Sequence, residues 1–77
     1  MFLTKKRVLK IISKSLDLDE NKINLNSEIE DLTRDSIQLF ELVIALEKEF
    51  GYQAKYEDLI KIITVGDIVG YIKKIER

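Results

Sequence analysis

Residues 35–51 read DSIQLFELVIALEKEFG, and this segment predicts the clearest helix in the chain. Asp35 and Ser36 favour a helix N-terminus, because short polar side chains there can accept hydrogen bonds from free backbone N–H groups. An apolar-rich run of fourteen residues, 37–50, follows them. Gly51 then supplies a C-terminal stop. The segment therefore predicts a helix over residues 37–50.

The apolar side chains of this helix fall on two different sides. One side, expected to face the core, holds Leu39, Leu42, Val43, Leu46 and Phe50. The other side holds Ile37, Phe40 and Ile44, flanked by Glu41, Glu47 and Lys48. On a helical wheel with about 100° per residue, it lies roughly 150° from the first side. A small bundle rarely buries both sides, so this second group, the apolar stripe, predicts a partly exposed surface. It is either a docking surface, ordinary scattered apolar surface, or a face covered by another segment.

Three other segments predict helices. Thr4 can cap a helix over residues 5–16, whose apolar positions recur at helical spacing. Residues 56–62 predict one or two helical turns. Thr64 and Asp67 resemble a capping box that opens a last helix through Ile75.

Residues 17–34 form a long connection rich in Asp, Asn and Ser, which favour turns. Apolar side chains recur along it, so we expect it to pack across the helices; they are Ile23, Leu25, Ile29 and Leu32. The fold class is accordingly all-α, a small four-helix bundle of three longer helices and one short one. With 77 residues, the chain is expected to be a single domain, residues 1–77.

Composition excludes several functions. The chain has no Cys and no His, so it lacks a disulfide, a zinc thiolate site and the usual general base of a hydrolase. Carboxylates show no paired catalytic arrangement, and we predict that the chain is not an enzyme. No run approaches the roughly 20 apolar residues of a membrane span. We therefore expect a cytoplasmic protein, with a monomer as the default state.

Charge is unevenly distributed along the chain. Residues 1–14 hold five bases and no acid, residues 15–58 have a net charge of −8, and residues 59–77 have a net charge of +2. The acidic centre indicates basic protein partners and argues against nucleic acid. The N-terminal bases lie mostly off the apolar side of their helix, which favours a solvated face over a binding patch.

Ser36 has two interpretations. It can simply cap the helix, as Ser after Asp often does. Alternatively, its hydroxyl can carry a phosphate ester, because the first turn of a helix has free N–H groups and a partial positive charge that stabilise an anion.

A larger set of residues bears on that choice. Glu30-Asp31-Leu32 precedes Asp35-Ser36-Ile37, and Glu41-Leu42-Val43 with the run 46–50 follows. Together with Arg7-Val8, Ile11-Ile12, Ile62, Thr64-Val65 and Tyr71-Ile72, this pattern resembles the acyl carrier protein family from about residue 4 to 72.

The resemblance implies a carrier of 4′-phosphopantetheine, attached to Ser36 as a phosphodiester. A phosphopantetheinyl transferase would install it from coenzyme A with magnesium, recognising Asp35 and Ile37 of the motif. The thiol at the end of the arm would hold acyl groups as thioesters, so the reactive group is imported into a chain that has no thiol. Acyl-chain synthesis and acyltransferase enzymes would be the other partners.

The resemblance also implies two surfaces. Docking onto basic patches of partner enzymes would use Phe40, Glu41, Ile44 and Glu47. Acyl chains would lie in a pocket among the helices, formed by Val43, Leu46, Ala54, Leu59, Ile62 and Ile68. The alternative is that these six residues simply belong to the hydrophobic core.

The chain departs from the family pattern at three places. Thr33-Arg34 stands where Gly-Ala or a similar pair is frequent, Gln53-Ala54-Lys55 follows the second helix where Pro and acids are common, and Lys48 replaces an acid. Arg34 places a positive charge beside Ser36, where it can pair with a phosphodiester or alter the choice of partner. The cargo is expected to be a fatty acyl chain, with D-alanyl, aminoacyl and polyketide groups as alternatives. A different class is a helical interaction module in which Ser36 only caps.

Overall fold

Residues 4–76 are described by the structure, which is a computed structural model. The ends of the predicted domain, residues 1–3 and 77, lie outside this part. The helices in chain order are α1 (Thr4–Leu16), α2 (Ile29–Leu32), α3 (Ser36–Phe50), α4 (Tyr56–Leu59) and α5 (Val65–Glu76), with a 3-10 turn at Glu20–Lys22. The predicted all-α bundle of three longer helices and a short one is confirmed. The further short helix, α2, lies inside the connection that was predicted to lack one.

The helix ends follow the local sequence closely. Gly51 ends α3 in the left-handed region at φ 67°, a conformation that costs glycine little. At the start of α5, the Thr64 hydroxyl accepts from the Asp67 N–H at 3.2 Å. The Asp67 carboxylate accepts from the Thr64 N–H at 3.0 Å, which confirms the capping box. Helix α4 is shorter than predicted, although turn hydrogen bonds continue as far as Ile62.

The core lies between α1, α3 and α5. Its fully buried apolar side chains come from all three helices: Val8, Ile12, Leu42, Val65 and Ile72. Ile23 and Ile29 of the connection are also buried, so the prediction that this segment packs across the helices is confirmed. Leu25 and Leu39 are less buried than predicted, since both are 37% exposed. Leu39 lies on the edge of α3 that faces a cavity, where no dense packing covers it.

Backbone hydrogen bonds fasten the connection to the start of α5. The Ile29 N–H donates to the Ile63 carbonyl at 2.8 Å, and the Val65 N–H donates to the Ser27 carbonyl at 2.9 Å. Gly66 lies so close that a Cβ there would be 3.0 Å from the Leu25 carbonyl oxygen, tighter than most real contacts. The connection is thus a fixed part of the fold, and it positions α2 and the start of α3.

The N-terminal helix differs from its prediction at one end. Thr4, expected to cap α1 from outside, is its first residue and is almost completely buried. All five bases of α1 are exposed, as predicted for a solvated face. Arg7 binds the Glu49 carboxylate at 3.0 Å and lies 4.5 Å from the centre of the Phe50 ring, which joins α1 to the end of α3.

None of the helices within residues 4–76 has the length and apolar character that crossing a bilayer requires.

Candidate functional site

The turn that precedes α3 is held by two side chains other than Ser36. Asp35 is extended and is the N-cap, with its Oδ1 accepting from the Gln38 N–H at 2.9 Å. The Gln38 Oε1 in turn accepts from the Arg34 N–H at 2.7 Å. Just upstream, Thr33 closes α2 by donating its hydroxyl to the Ile29 carbonyl at 3.0 Å. Because Asp35 supplies the cap, Ser36 is not needed for that purpose.

Ser36 itself is the first residue of α3 and is exposed. Within residues 4–76, its hydroxyl makes no hydrogen bond, and neither do the backbone N–H groups of Ser36 and Ile37. These N–H groups lie at the positive end of the α3 dipole, which favours an anion. The residues present therefore fit a phosphate ester on Ser36: a free hydroxyl to carry it and unpaired donors beside it.

An open cavity of about 570 Å³ begins at Ser36 and extends between α3 and the α4 region. Ligand sites in proteins typically have volumes of this order. Polar side chains lie near Ser36, namely Glu30, Thr33, Arg34 and Asp35. The rest of the lining is mostly apolar, with contributions from α2, α3, α4 and α5. A flexible arm attached at Ser36 therefore has an apolar compartment beside it.

Five of the six predicted pocket residues line this cavity, and they come from three different parts of the chain: Val43, Leu46, Leu59, Ile62 and Ile68. The sixth, Ala54, does not line it, so the structure differs from the prediction there. The reason is a hydrogen bond: the Ala54 N–H donates to the Glu47 carboxylate at 2.9 Å, which holds this loop residue at α3.

The apolar stripe of α3 is exposed as predicted. Ile37 is 70% exposed, Phe40 59% and Ile44 50%, so neither the connection nor another helix covers them. Glu41 lies beside them and is also exposed. Phe40 additionally lines the cavity, so the stripe meets the mouth of the cavity at this residue.

Glu47 is positioned differently from the other predicted docking residues. It is half-buried, and its Oε2 accepts the hydrogen bond from Ala54. The family resemblance assigned this acid to the docking surface. In the fold, one of its oxygens instead fixes the loop that leads to α4.

Tyr52, in the loop before α4, contacts Tyr71 of α5. Their rings meet edge to face with centroids 5.8 Å apart, and the Tyr71 hydroxyl donates to the Asp58 carboxylate at 2.9 Å. Burial, with smaller contributions from Tyr71 and Glu47, raises the pKa of Tyr52 to about 12. Burial also raises the pKa of Tyr71, and the hydrogen bond to Asp58 adds to this. Both phenols are therefore neutral at physiological pH, and Tyr52 contributes an uncharged surface to the cavity.

Within residues 51–64, sequence reasoning missed four side chains of the cavity: Tyr52, Tyr56, Ile60 and Ile63. Three of them are exposed as well, with Tyr56 at 77%. They belong to residues 51–64, where a four-residue helix offers too short a period to assign faces. The available signal was the density of apolar residues in a segment too short to bury them by itself.

Comparisons with known proteins agree with this geometry. The sequence profile of the family described as "Phosphopantetheine attachment site" matches residues 6–72. An acyl carrier protein of Thermotoga maritima is 46% identical over 69 residues, which cover 88% of this chain and 85% of that protein. An acyl carrier protein of Chlamydia caviae is 42% identical over 67 residues, covering 86% and 87% of the two chains. Another, from Chlamydia felis, is 44% identical over 64 residues, covering 82% of each.

The family match spans α1 to α5 and includes the turn and cavity described above. The chain therefore belongs to the acyl carrier protein family, and its prosthetic group is 4′-phosphopantetheine.

Proposed function

We propose that 4′-phosphopantetheine is attached to the Ser36 hydroxyl. One observation carries this proposal: Ser36 is exposed at the start of α3, its hydroxyl makes no hydrogen bond within residues 4–76, and Asp35 caps the helix. If Ser36 served only as a cap, its oxygen would accept a hydrogen bond from the first turn. The unpaired N–H groups of Ser36 and Ile37 then stabilise the phosphate of the ester.

In this proposal, the chain is a carrier and does no catalysis. The thiol of the bound arm holds acyl groups as thioesters, and partner enzymes supply the catalytic groups. Those partners are a phosphopantetheinyl transferase, acyl-chain synthesis enzymes and acyltransferases. We infer one acyl carrier domain over residues 1–77, on the support of the family match over residues 6–72, and we further propose that it acts as a monomer in the cytoplasm.

The cavity supports a fatty acyl cargo, and hence a role in fatty-acid or related lipid synthesis. Beyond the polar side chains near Ser36, its lining consists largely of Leu, Ile and Val side chains, with Val43 and Leu46 from α3 and Leu59, Ile62 and Ile68 from later elements. An aliphatic chain gains about 0.8 kcal/mol for each methylene that it buries there. A D-alanyl or aminoacyl group would leave most of this apolar surface unfilled.

Docking is proposed to use the apolar stripe with Glu41. The exposed Phe40 ring supplies apolar contact area next to the mouth of the cavity, and Glu41 supplies negative charge for a basic patch on a partner. Exposed ion pairs contribute only roughly 0–1 kcal/mol each, so they orient a transient complex more than they strengthen it. Such weak contacts suit a carrier that must leave after each transfer.

The test is intact mass spectrometry after incubation with coenzyme A, magnesium and a phosphopantetheinyl transferase. We expect the chain to gain the mass of one phosphopantetheine group. The Ser36→Ala variant should gain none, whereas the Ser15→Ala control on α1 should be loaded like the unchanged chain. Loading that persists in Ser36→Ala would refute the attachment site, and an unchanged chain that never gains mass would refute the carrier function.

A further inference from the structure

Arg34 is the only base in the most acidic part of the chain. Residues 23–47 contain six carboxylates and no other Lys or Arg. The six acids are Glu28, Glu30, Asp31, Asp35, Glu41 and Glu47, of which Glu30 and Asp35 line the same cavity as Ser36. A lone cation in such surroundings is normally expected to pair with one of its acidic neighbours.

The structure shows no such pairing. Arg34 is exposed, and within residues 4–76 its guanidinium forms no ion pair or hydrogen bond. Glu30 and Asp35 line the same cavity as Arg34 without binding its guanidinium, and the Asp35 Oδ1 accepts from the Gln38 N–H instead. The Arg34 backbone is held in place by the Gln38 side chain, so the residue has a fixed base and an uncommitted charged end.

A phosphodiester on Ser36 brings a negative charge into this acidic surface. It would be repelled by the carboxylates around it unless a cation compensates. Arg34 lies two residues before Ser36 and lines the mouth of the cavity together with it. A guanidinium can donate two parallel N–H bonds to the free oxygens of a phosphate, which gives it orientation as well as charge neutralisation.

We propose that Arg34 is a positioning residue that binds the phosphodiester oxygens of the arm on Ser36 and directs the arm toward the cavity. This inference rests on the proposed attachment at Ser36. It adds a role for the Arg34 side chain, since only the backbone of this residue takes part in the hydrogen bonds of the turn. If Arg34 binds the phosphodiester, the arm is held at its phosphate, where it is attached to Ser36, as well as at its acyl end.

The test is nuclear magnetic resonance of the whole chain before and after loading, with loading verified by mass. The chain is labelled so that the side-chain Nε–H signals of its arginines are visible, and the Arg34→Lys variant identifies the signal of Arg34 by its loss. We expect the Arg34 signal to shift on loading. The Arg7 signal is the internal control, because Arg7 is bound to Glu49 at the junction of α1 and α3, and it should stay in place.

The phosphorus resonance supplies a second readout. In the loaded Arg34→Gln variant, it should move away from its position in the unchanged chain. The loaded Lys48→Gln variant, altered at an exposed base near the far end of α3, should leave it unmoved. In loaded Arg34→Lys at low salt, the phosphorus resonance should lie between its positions in the unchanged chain and in Arg34→Gln. It should approach the Arg34→Gln position as salt is added, because a point charge is screened and lacks the paired geometry of a guanidinium.

The possible failures are distinguishable. An unchanged chain that gains no mass refutes the attachment at Ser36 itself. A chain that gains mass while the Arg34 signal stays fixed refutes the positioning role alone, and an unmoved phosphorus resonance in Arg34→Gln refutes it as well. If Arg34→Gln loads poorly, the shift of the Arg34 signal in the unchanged chain still decides the question.

Discussion

The two sides of the bundle are packed in opposite ways. Where α1 meets α5 and the inner face of α3, side chains such as Ile12, Val65 and Ile72 have no exposed surface. On the side of Ser36, a cavity of about 570 Å³ lies beside a helix of only four residues, and large side chains such as Tyr56 remain exposed. Stability is therefore concentrated on the first side, which leaves the second free to receive a ligand.

Two side-chain hydrogen bonds help to hold the loosely packed side in place. The Ala54 N–H binds Glu47 before α4, and Tyr71 binds Asp58 within it. Each such hydrogen bond contributes only about 0.5–1.5 kcal/mol, so α4 can shift at a modest cost in free energy. The packed side shows no comparable freedom, because moving a fully buried side chain opens a void in a close-packed interior.

The largest difference is expected between Ile72→Ala and Ile60→Ala. Ile72 is fully buried, so its truncation should lower the free energy of unfolding by about 2–5 kcal/mol. Ile60 is 60% exposed and lines the cavity, so Ile60→Ala should change the free energy of unfolding by less than about 0.5 kcal/mol. Urea denaturation of both variants measures this. Similar losses in the two would contradict the division into packed and loose sides.

Filling the cavity should separate stability from cargo binding. Val43→Phe should change the unfolding free energy of the unloaded chain by less than about 1 kcal/mol, because the ring enters existing space. In the unchanged chain, we expect each buried methylene of the acyl chain to add about 0.8 kcal/mol to the free energy of unfolding, so that the melting temperature rises with acyl-chain length. Val43→Phe should abolish this rise.

The matched control is Val69→Phe in the packed side. It should lose about 1–3 kcal/mol through overpacking and keep the dependence on chain length. Thermal unfolding with a series of acyl chains measures both variants. A chain-length dependence that survives Val43→Phe would exclude the cavity as the site of the cargo.

The turn at Ser36 offers a comparison of neighbouring residues. Asp35→Ala removes the cap of α3 and should destabilise the chain by about 1 kcal/mol. Ser36→Ala should change stability by less than about 0.5 kcal/mol, since its hydroxyl makes no hydrogen bond within the described residues. Denaturation of the unloaded variants tests this. An equal loss in both would mean that Ser36 is the functional cap.

Docking should depend on the exposed stripe with little effect on folding. Phe40→Ser and Glu41→Lys should slow acyl transfer to a partner enzyme, the charge reversal by about fivefold or less, because one exposed ion pair contributes roughly 0–1 kcal/mol. Transfer rates are measured beside circular dichroism, which should be unchanged. Lys48→Gln on the same helix is the control, and equal rates in all variants would exclude the stripe as a docking surface.

The smallest effect concerns the start of α5 and depends on pH. Hydrogen bonds from the Thr64 and Ile63 N–H groups lower the pKa of Asp67 from its ordinary value of 3.8 in the folded chain. At a pH between the two pKa values, the carboxyl is ionised in the folded chain and binds a proton on unfolding. The stabilisation that these hydrogen bonds provide is therefore complete above pH 3.8 and is lost as pH falls through the lowered pKa.

Asp67→Asn should therefore be less stable than the unchanged chain at neutral pH, with the difference closing in acid. Denaturation across this pH range measures the gap, and Glu57→Gln on α4 is the control, since its carboxylate makes no hydrogen bond within residues 4–76. A gap that stays constant down to strongly acidic pH would contradict the assignment.

Much of the fold could be predicted from short-range patterns. The limits of α3 follow from Asp35 and Gly51, and the start of α5 follows from the Thr64–Asp67 box, because capping depends on residues only three or four positions apart. The two-sided apolar pattern of α3 likewise predicted the exposure of Phe40, since helical period alone separates its faces.

Features without a local period were harder to predict. Helix α2 depends on the bridge between Glu28 and Thr64, which are far apart in the chain. Tyr56 and Ile60 line the cavity beyond a loop that is held to Glu47, and no sequence spacing encodes that contact. The family resemblance places Ala54 in the pocket and Glu47 on the docking surface, but it does not reveal the hydrogen bond that joins them.

The amino-acid order alone determined a helical chain without thiol or imidazole, and a hydroxyl at the start of its strongest helix. These features depend on composition and on neighbours within one helical turn. Only the tertiary structure decided that Arg34 would stay unpaired among the acids within residues 4–76, and that a cavity would open beside Arg34 and Ser36. Those outcomes result from competition among groups brought together by folding, which distance along the chain does not reveal.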